Sequence, residues 1–175
     1  MEIRTLDIAR DRAAIDAFFA RGGIRLDAGI TYLCGVFEGE TPLALGGVAG
    51  DAIRSLAVAD SSQGEGLLPM LVTHLYKKLK SEGFDNVFVV TKPAYAPLFA
   101  SLCFYERVKT DDAALLESRR DGLKRFLAEL PKADGAIVMN ADPFTNGHRY
   151  LVETAAASCR RLLVLVLSKD AAPVP

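Results

Sequence analysis

The sequence predicts a mixed α/β (α+β) protein: a larger domain on a largely antiparallel sheet, followed by the opening of a second, parallel α/β unit. Three observations carry this. Strand-length apolar bursts crowd residues 31–58, the apolar period then becomes helical over residues 67–79, and beyond a Pro- and Gly-bounded break at residues 131–135 one strand–helix–strand pattern follows.

Residues 3–6 read as a first short strand, followed by an amphipathic helix from about Asp7 or Asp11 that carries Ile15, Phe18 and Phe19 and stops at Gly22-Gly23. Residues 31–37 and 42–48 are strands joined by the turn Glu38-Gly39-Glu40-Thr41, and residues 52–58 add a third, so an antiparallel meander is expected. Leu67, Leu68, Leu71, Val72, Leu75, Tyr76 and Leu79 then recur at helical spacing, with Lys77, Lys78 and Lys80 on the wet side and Gly83 as the stop. Pro69 is tolerated because it falls in the first turn, where no intrahelical N–H bond is due. A strand (86–91), a short helix (95–102) and two strands (104–108, 113–117) complete the order βαβββ, then αβαββ. Residues 118–130 are expected as a connecting helix with Leu123, Phe126, Leu127 and Leu130 apolar. Its basic residues Arg119, Arg120, Lys124 and Arg125 form a solvated face. The predicted division is therefore 1–130, a linker at 131–135, and a second domain from 136 to 175.

Composition bounds the function classes. Half of the 175 residues are apolar, enough to fill the core of one domain and a fraction. With 21 basic against 22 acidic residues, bulk attraction to nucleic acid is not indicated. The longest apolar run, residues 162–167, has strand length, and the opening Met-Glu-Ile-Arg lacks a signal-peptide core, so a cytoplasmic protein without a membrane anchor is expected. Cys34, Cys103 and Cys159 are odd in number and far apart, and are read as buried reduced thiols. With only His74 and His148 present, no His-rich metal site is expected; His74 reads as a packing or surface residue.

Ser55-Leu56-Ala57-Val58 leads into Gln63-Gly64-Glu65-Gly66-Leu67-Leu68, a glycine loop between a strand and a helix. Two glycines let backbone N–H groups converge on an anion, and the helix that opens at Leu67 adds its dipole. Together with the element order, this resembles the GNAT acyltransferase fold and its loop for the pyrophosphate of coenzyme A, although Leu68 stands where a small residue is usual. The resemblance implies a CoA-like ligand held by Gln63, Gly64, Glu65, Gly66, Leu67 and Leu68. Many GNAT enzymes also place a Tyr as general acid on the helix before the Gly-Phe strand. Here that place falls on Phe99, which has no proton to donate. Tyr95, one turn earlier, is read as a structural Tyr with its hydroxyl at the surface. Cys103, where Gly is usual, is read as a buried small hydrophobe rather than a nucleophile.

The most specific stretch is Gly-Ala-Ile-Val-Met-Asn-Ala-Asp-Pro-Phe-Thr-Asn-Gly-His-Arg-Tyr-Leu at 135–151. An apolar strand enters a Pro-containing turn, and a helix begins after Thr145 with Leu151, Val152 and Ala155 on one face. A helix start attracts phosphate through its unpaired N–H groups and partial positive charge. Thr145 or Asn146 can cap it, Gly147 clears space, and His148 adds an imidazole donor suited to charge developing at a nucleotide α-phosphate. The string Asn-x-x-Pro-Phe-Thr-x-Gly-His-Arg-Tyr-Leu closely resembles the citrate lyase ligase family, whose C-terminal half belongs to the HxGH-type, Rossmann-like nucleotidyltransferases. Asp142 departs from it by placing a carboxylate where Asn is usual.

Membership would imply that ATP, with Mg²⁺, activates acetate as acetyl-AMP, and that the acetyl group passes to the CoA-like thiol of the lyase's acyl carrier subunit. His148 and Thr145 take the catalytic places by this resemblance, with Asn140, Phe144 and Gly147 on the nucleotide and no residue assigned to a metal. Relatives continue beyond Ala-Ala-Pro-Val-Pro, so the sequence is read as a truncated piece that lacks full ligase activity, its βαβ remnant leaning on the upstream domain or on another copy. A free-standing N-acetyltransferase using acetyl-CoA is the alternative reading, and a non-catalytic CoA-binding module the third.

Overall fold

A computed structural model describes residues 1–167; Ser168 and the Ala-Ala-Pro-Val-Pro end, which entered the truncation reading, lie outside the described residues. The chain forms two compact units, Met1–Gly122 and Leu123–Pro175.

In the first unit, strand β1 (Glu2–Leu6) is followed by helix α1 (Arg12–Arg21) and by β2 (Tyr32–Glu38), β3 (Thr41–Ala49) and β4 (Ala52–Val58). β1 to β4 pair antiparallel in chain order, the expected meander. Helix α2 (Leu67–Ser81) crosses over to β5 (Phe88–Thr91), which lies parallel to β4. Helix α3 (Ala96–Ser101), β6 (Tyr105–Lys109) and β7 (Ala114–Glu117) follow, and the seven strands take the order β1-β2-β3-β4-β5-β7-β6.

Helices cover both faces of the sheet. Cys34, Val36, Ala44 and Val48 pack toward Leu71, Val72, Leu75 and Leu79 of α2, while Leu33, Phe37 and Leu45 pack toward Ile15, Phe18 and Phe19 of α1. Strands buried on both faces read as apolar runs rather than alternations, which is the pattern of β2 and β3. Gly46 lets α2 sit close on the sheet: a Cβ there would lie 2.6 Å from Leu56 and 3.0 Å from both Leu71 and Leu75.

Helix α1 starts at Arg12 rather than Asp7 because residues 7–11 form a side-chain-bonded turn. Asp7 Oδ1 accepts from the amides of Ala9 and Arg10, and Asp11 Oδ2 accepts from the amide of Asp7. The cysteines need correction. Cys34 is buried, Cys159 is half-buried, and Cys103 is exposed. Cys103 takes the left-handed position (φ +64°) after α3; its amide donates to Ala100 and that of Phe104 to Phe99, a helix-ending geometry that turns the thiol to solvent.

In the second unit, helix α4 (Gly122–Glu129) begins at the last residue of the first and leaves Phe126 and Leu127 exposed. Strand β8 (Gly135–Met139), helix α5 (Asn146–Ala157) and β9 (Leu162–Val166) form the expected βαβ unit, with β8 and β9 parallel from Gly135↔Leu162 to Met139↔Val166. Cys159 packs at Gly135, where a Cβ would stand 3.1 Å from its Sγ. Val138 and Val166 of this two-stranded sheet are exposed.

Candidate functional site

In the first unit the site is made by strands that part. β5 pairs with β4 only at Ala52↔Phe88 and Ile53↔Val89. Just beyond, Ser55 takes φ +50° and the β3–β4 register slips between Leu45 and Gly47, so the rest of β4 bends as a bulge. Ser55 is held there from outside the sheet: its Oγ accepts from the Asp27 amide (3.0 Å) and donates to Asp27 Oδ2 (3.1 Å). The gap is a cavity of about 500 Å³, lined by Leu56, Ala57 and Val58 of β4, Thr91 of β5, Tyr95, Leu98 and Phe99 around α3, and the glycine loop.

Of the predicted loop residues, Gln63, Gly64, Gly66, Leu67 and Leu68 line this cavity and Glu65 does not. Gly64 (φ +87°) and Gly66 (φ +75°) are left-handed, and a Cβ on either would meet nothing within 4 Å. Conformation rather than crowding therefore requires glycine, and the space over the loop is open. Leu67 sends its side chain into the core and leaves its amide at the start of α2. Gln63 Nε2 donates to Asp60 Oδ1 at 3.0 Å, so that side chain is engaged by a carboxylate lining the same cavity. Among the described residues the lining holds no cationic side chain, which leaves backbone amides and the helix dipole as its anion-attracting groups.

Phe99 is 2% exposed and meets Phe104 edge-on at 6.2 Å. Among the described residues the hydroxyls of the lining belong to Ser62, Thr91 and Tyr95, and Tyr95 is exposed. Sequence reasoning missed Ser55, Asp27, Asp60 and Thr91; only Asp60-Ser61-Ser62 carried a local turn signal. His74 lies outside the lining and ties α2 to β2, with its Nε2 3.1 Å from the Tyr32 hydroxyl.

In the second unit, β8 delivers the chain to Asn140, and the turn reaches Thr145 at the N-cap of α5. Thr145, not Asn146, is the cap. Its side chain accepts from the His148 amide while the His148 imidazole returns to the Thr145 amide, closing a reciprocal capping box. Nδ1 of His148 lies 3.1 Å from Thr145 N and 2.9 Å from Thr145 Oγ1, and the Phe144 ring lies 5.7 Å from the imidazole at a 31° tilt. The turn thus brings together Phe144, Thr145, Gly147 and His148. Asn140, Phe144 and Gly147 are exposed and His148 is half-buried. A Cβ on Gly147 would make only an ordinary 3.6 Å contact with Thr145 Oγ1, so nothing within the described chain demands glycine there. Among the described residues no cluster of His, Cys, Asp or Glu is placed to hold a metal ion, and no helix is long and apolar enough to cross a membrane.

The sheet and its split strands define the class. The chain has the fold of the GNAT N-acetyltransferases, overlaying a GCN5-related N-acetyltransferase from Rhodopseudomonas palustris over 66% of this chain and 93% of that one (TM-score 0.56, 14% identity). It also overlays an acetyltransferase from Salmonella typhimurium solved with its cofactor acetyl-CoA, over 67% and 92% (TM-score 0.54, 17% identity). Sequence goes further. Residues 134–175 match the family described as the citrate lyase ligase C-terminal domain. The chain is 36% identical to the [citrate [pro-3S]-lyase] ligase of Klebsiella pneumoniae over 91% of this chain and 49% of that protein, and 34% identical to that of Escherichia coli over 93% and 48%. The chain is therefore similar to the citrate lyase ligases and spans about half the length of the curated relatives it matches.

Proposed function

We propose that this chain supplies the CoA-arm-binding part and the first nucleotide-binding elements of an ATP-dependent acetate–thiol ligase acting on citrate lyase. In this proposal residues 1–130 serve the thiol substrate and residues 136–175 begin the adenylating domain. The observation that carries it is the capped start of α5, where Thr145 and His148 lock each other at the end of a parallel strand inside the segment matching the ligase domain. A carboxylate is a poor acylating agent until its oxygen becomes part of a good leaving group. An acetate oxygen attacks the α-phosphorus of ATP, pyrophosphate leaves, and a thiolate then takes the acetyl group as AMP departs.

The α5 N-terminus suits phosphate by its donors. The first helical amides lack intrahelical acceptors by geometry, the dipole favours an anion, and His148 adds an imidazole at the same edge. Mg²⁺ enters here only on the ATP phosphates. Asn140 and Phe144 flank the turn as nucleotide contacts. In the first unit, the glycine loop and the β4–β5 cavity take the pyrophosphate and pantetheine of a CoA-like arm carried by an acyl carrier subunit. Phe99 supports binding rather than N-acetyl transfer in that cavity, since it places no proton donor where a leaving thiolate would need one.

Calorimetric titration of ATP–Mg²⁺ into this chain tests the nucleotide site. His148→Ala is expected to weaken binding by about 10- to 100-fold, the value of one charge-assisted hydrogen bond; unchanged affinity in a folded variant removes the assignment. Acetate-dependent exchange of labelled pyrophosphate into ATP, measured in a version extended to the relatives' length, tests the chemistry. Exchange is expected and is expected to vanish in His148→Ala. A folded protein supplied with Mg²⁺ that shows none would leave acetyl-CoA chemistry in the first unit as the better account.

A further inference from the structure

Thr145 and His148 make three contacts. The Thr145 amide lies 3.1 Å from Nδ1, its Oγ1 lies 2.9 Å from the same nitrogen, and the His148 amide lies 3.5 Å from Oγ1. A backbone N–H can only donate, so Nδ1 must be the acceptor in that contact, and an Nδ1–H would drive one hydrogen onto another. A neutral imidazole carries a single N–H, so an accepting Nδ1 puts the proton on Nε2.

The same reasoning fixes the hydroxyl. Facing an accepting Nδ1, Thr145 Oγ1 spends its one hydrogen on the imidazole and keeps only lone pairs, one of which receives the His148 amide. Phosphate oxygens at the site offer acceptors, so they gain nothing from a hydroxyl without a free hydrogen. The groups left to meet a phosphate are the Asn146 and Gly147 amides and Nε2–H of His148.

We propose that Thr145 is a positioning residue: it holds His148 in the Nε2–H tautomer with its ring fixed against Phe144, and the imidazole alone of the pair donates to the ligand. The tautomer follows from the chain's own contacts, while the role of the Nε2–H donor rests on the nucleotide-binding function proposed above. Phe144 contributes by packing its ring at 5.7 Å, limiting rotation about the bond that would turn Nδ1 away from its donors. A hydroxyl that bound phosphate directly would instead have to withdraw its hydrogen from Nδ1.

The test needs no nucleotide, so its failure is distinct from failure of the ligase function. Long-range ¹H–¹⁵N correlation of the imidazole nitrogens in the ¹⁵N-histidine-labelled chain, at a pH where the rings are neutral, reads the tautomer directly. Only two histidines are present, and His74→Gln assigns the signals. His148 is expected to show the Nε2–H pattern with an Nδ1 resonance moved by hydrogen bonding. Thr145→Val, which removes the hydroxyl and keeps the amide, is expected to shift Nδ1 toward its unbonded position, and Thr145→Ser to restore it. An Nδ1–H pattern or an even mixture in the unaltered chain overturns the proposal. An Nδ1 resonance that does not move in Thr145→Val overturns it too, because the hydroxyl would then not hold the ring.

Discussion

Glu117 is fully buried at the end of β7 and forms an ion pair through Oε1 with Nε of Arg107 on β6, while its Oε2 accepts from Asn86 Nδ2 at 2.6 Å. Arg107 also donates to the carbonyls of Arg119 (3.3 Å) and Arg120 (2.5 Å), tying the last strands to the chain that leaves them. Arg107→Met removes the cation and leaves the carboxylate in place. Losing one partner of a buried pair costs about 3–5 kcal/mol, and the low end applies because the Arg107 side chain is 25% exposed. Losing the carbonyl bonds adds about 1 kcal/mol, for a total of roughly 4 kcal/mol. At about 2.1 cal/mol/K per residue over Met1–Gly122, that lowers the midpoint of the first unit by about 15 °C. Thermal unfolding followed by circular dichroism reads it. The double variant Arg107→Met/Glu117→Leu should recover much of the loss, because it removes the buried charge along with its cation. A single variant that loses less than about 1 kcal/mol, or a double variant no better than the single, would refute the idea that the buried carboxylate depends on this cation.

Gly46→Ala should destabilise the first unit by about 1–3 kcal/mol in urea unfolding, since its Cβ would meet Leu56, Leu71 and Leu75 at 3.0 Å or less. An unchanged midpoint would show that α2 moves off the sheet freely. Gly64→Ala and Gly66→Ala each place a side chain at positive φ and cost about 1–2 kcal/mol of loop strain, so affinity for dephospho-CoA should fall in fluorescence titrations. Equal affinity in both variants would remove the loop from the ligand site. Burial, slightly opposed by a Tyr32 hydrogen bond, pushes the Cys34 thiol up to about 11 from 9.0. Between those values the unfolded chain has lost the proton that the native state keeps, so the stability Cys34 contributes is full below pH 9.0 and falls as pH rises toward about 11. A thiol reagent at neutral pH should modify Cys103 in the native protein and reach Cys34 only after unfolding; labelling of Cys34 at the rate of Cys103, seen by peptide mass analysis, would contradict its burial.

Features that repeat along the chain or fit within a few residues were legible before any fold was known. The helical period of residues 67–79 gave α2 its buried face, the apolar runs gave β2 and β3, and the Thr-x-Gly-His string gave a capped strand-to-helix junction, because periodicity and caps are local properties. The cap was open between Thr145 and Asn146 until backbone direction at the end of the turn selected Thr145.

Tertiary structure decided what depends on residues far apart in the chain. At the bend of β4, Ser55 is held by Asp27 from 28 positions away, and the parting from β5 that opens the cavity involves strands distant in the chain. Glu117 looks like a surface acid at the end of a strand, and only β5 and β6 pairing on either side of β7 buries it beside Arg107. Cys103 reads as an apolar filler, yet the turn closing α3 sets its φ at +64° and points the thiol outward. A one-dimensional pattern records which residues prefer to be buried; which are buried, and against what charge, is fixed only when distant strands meet.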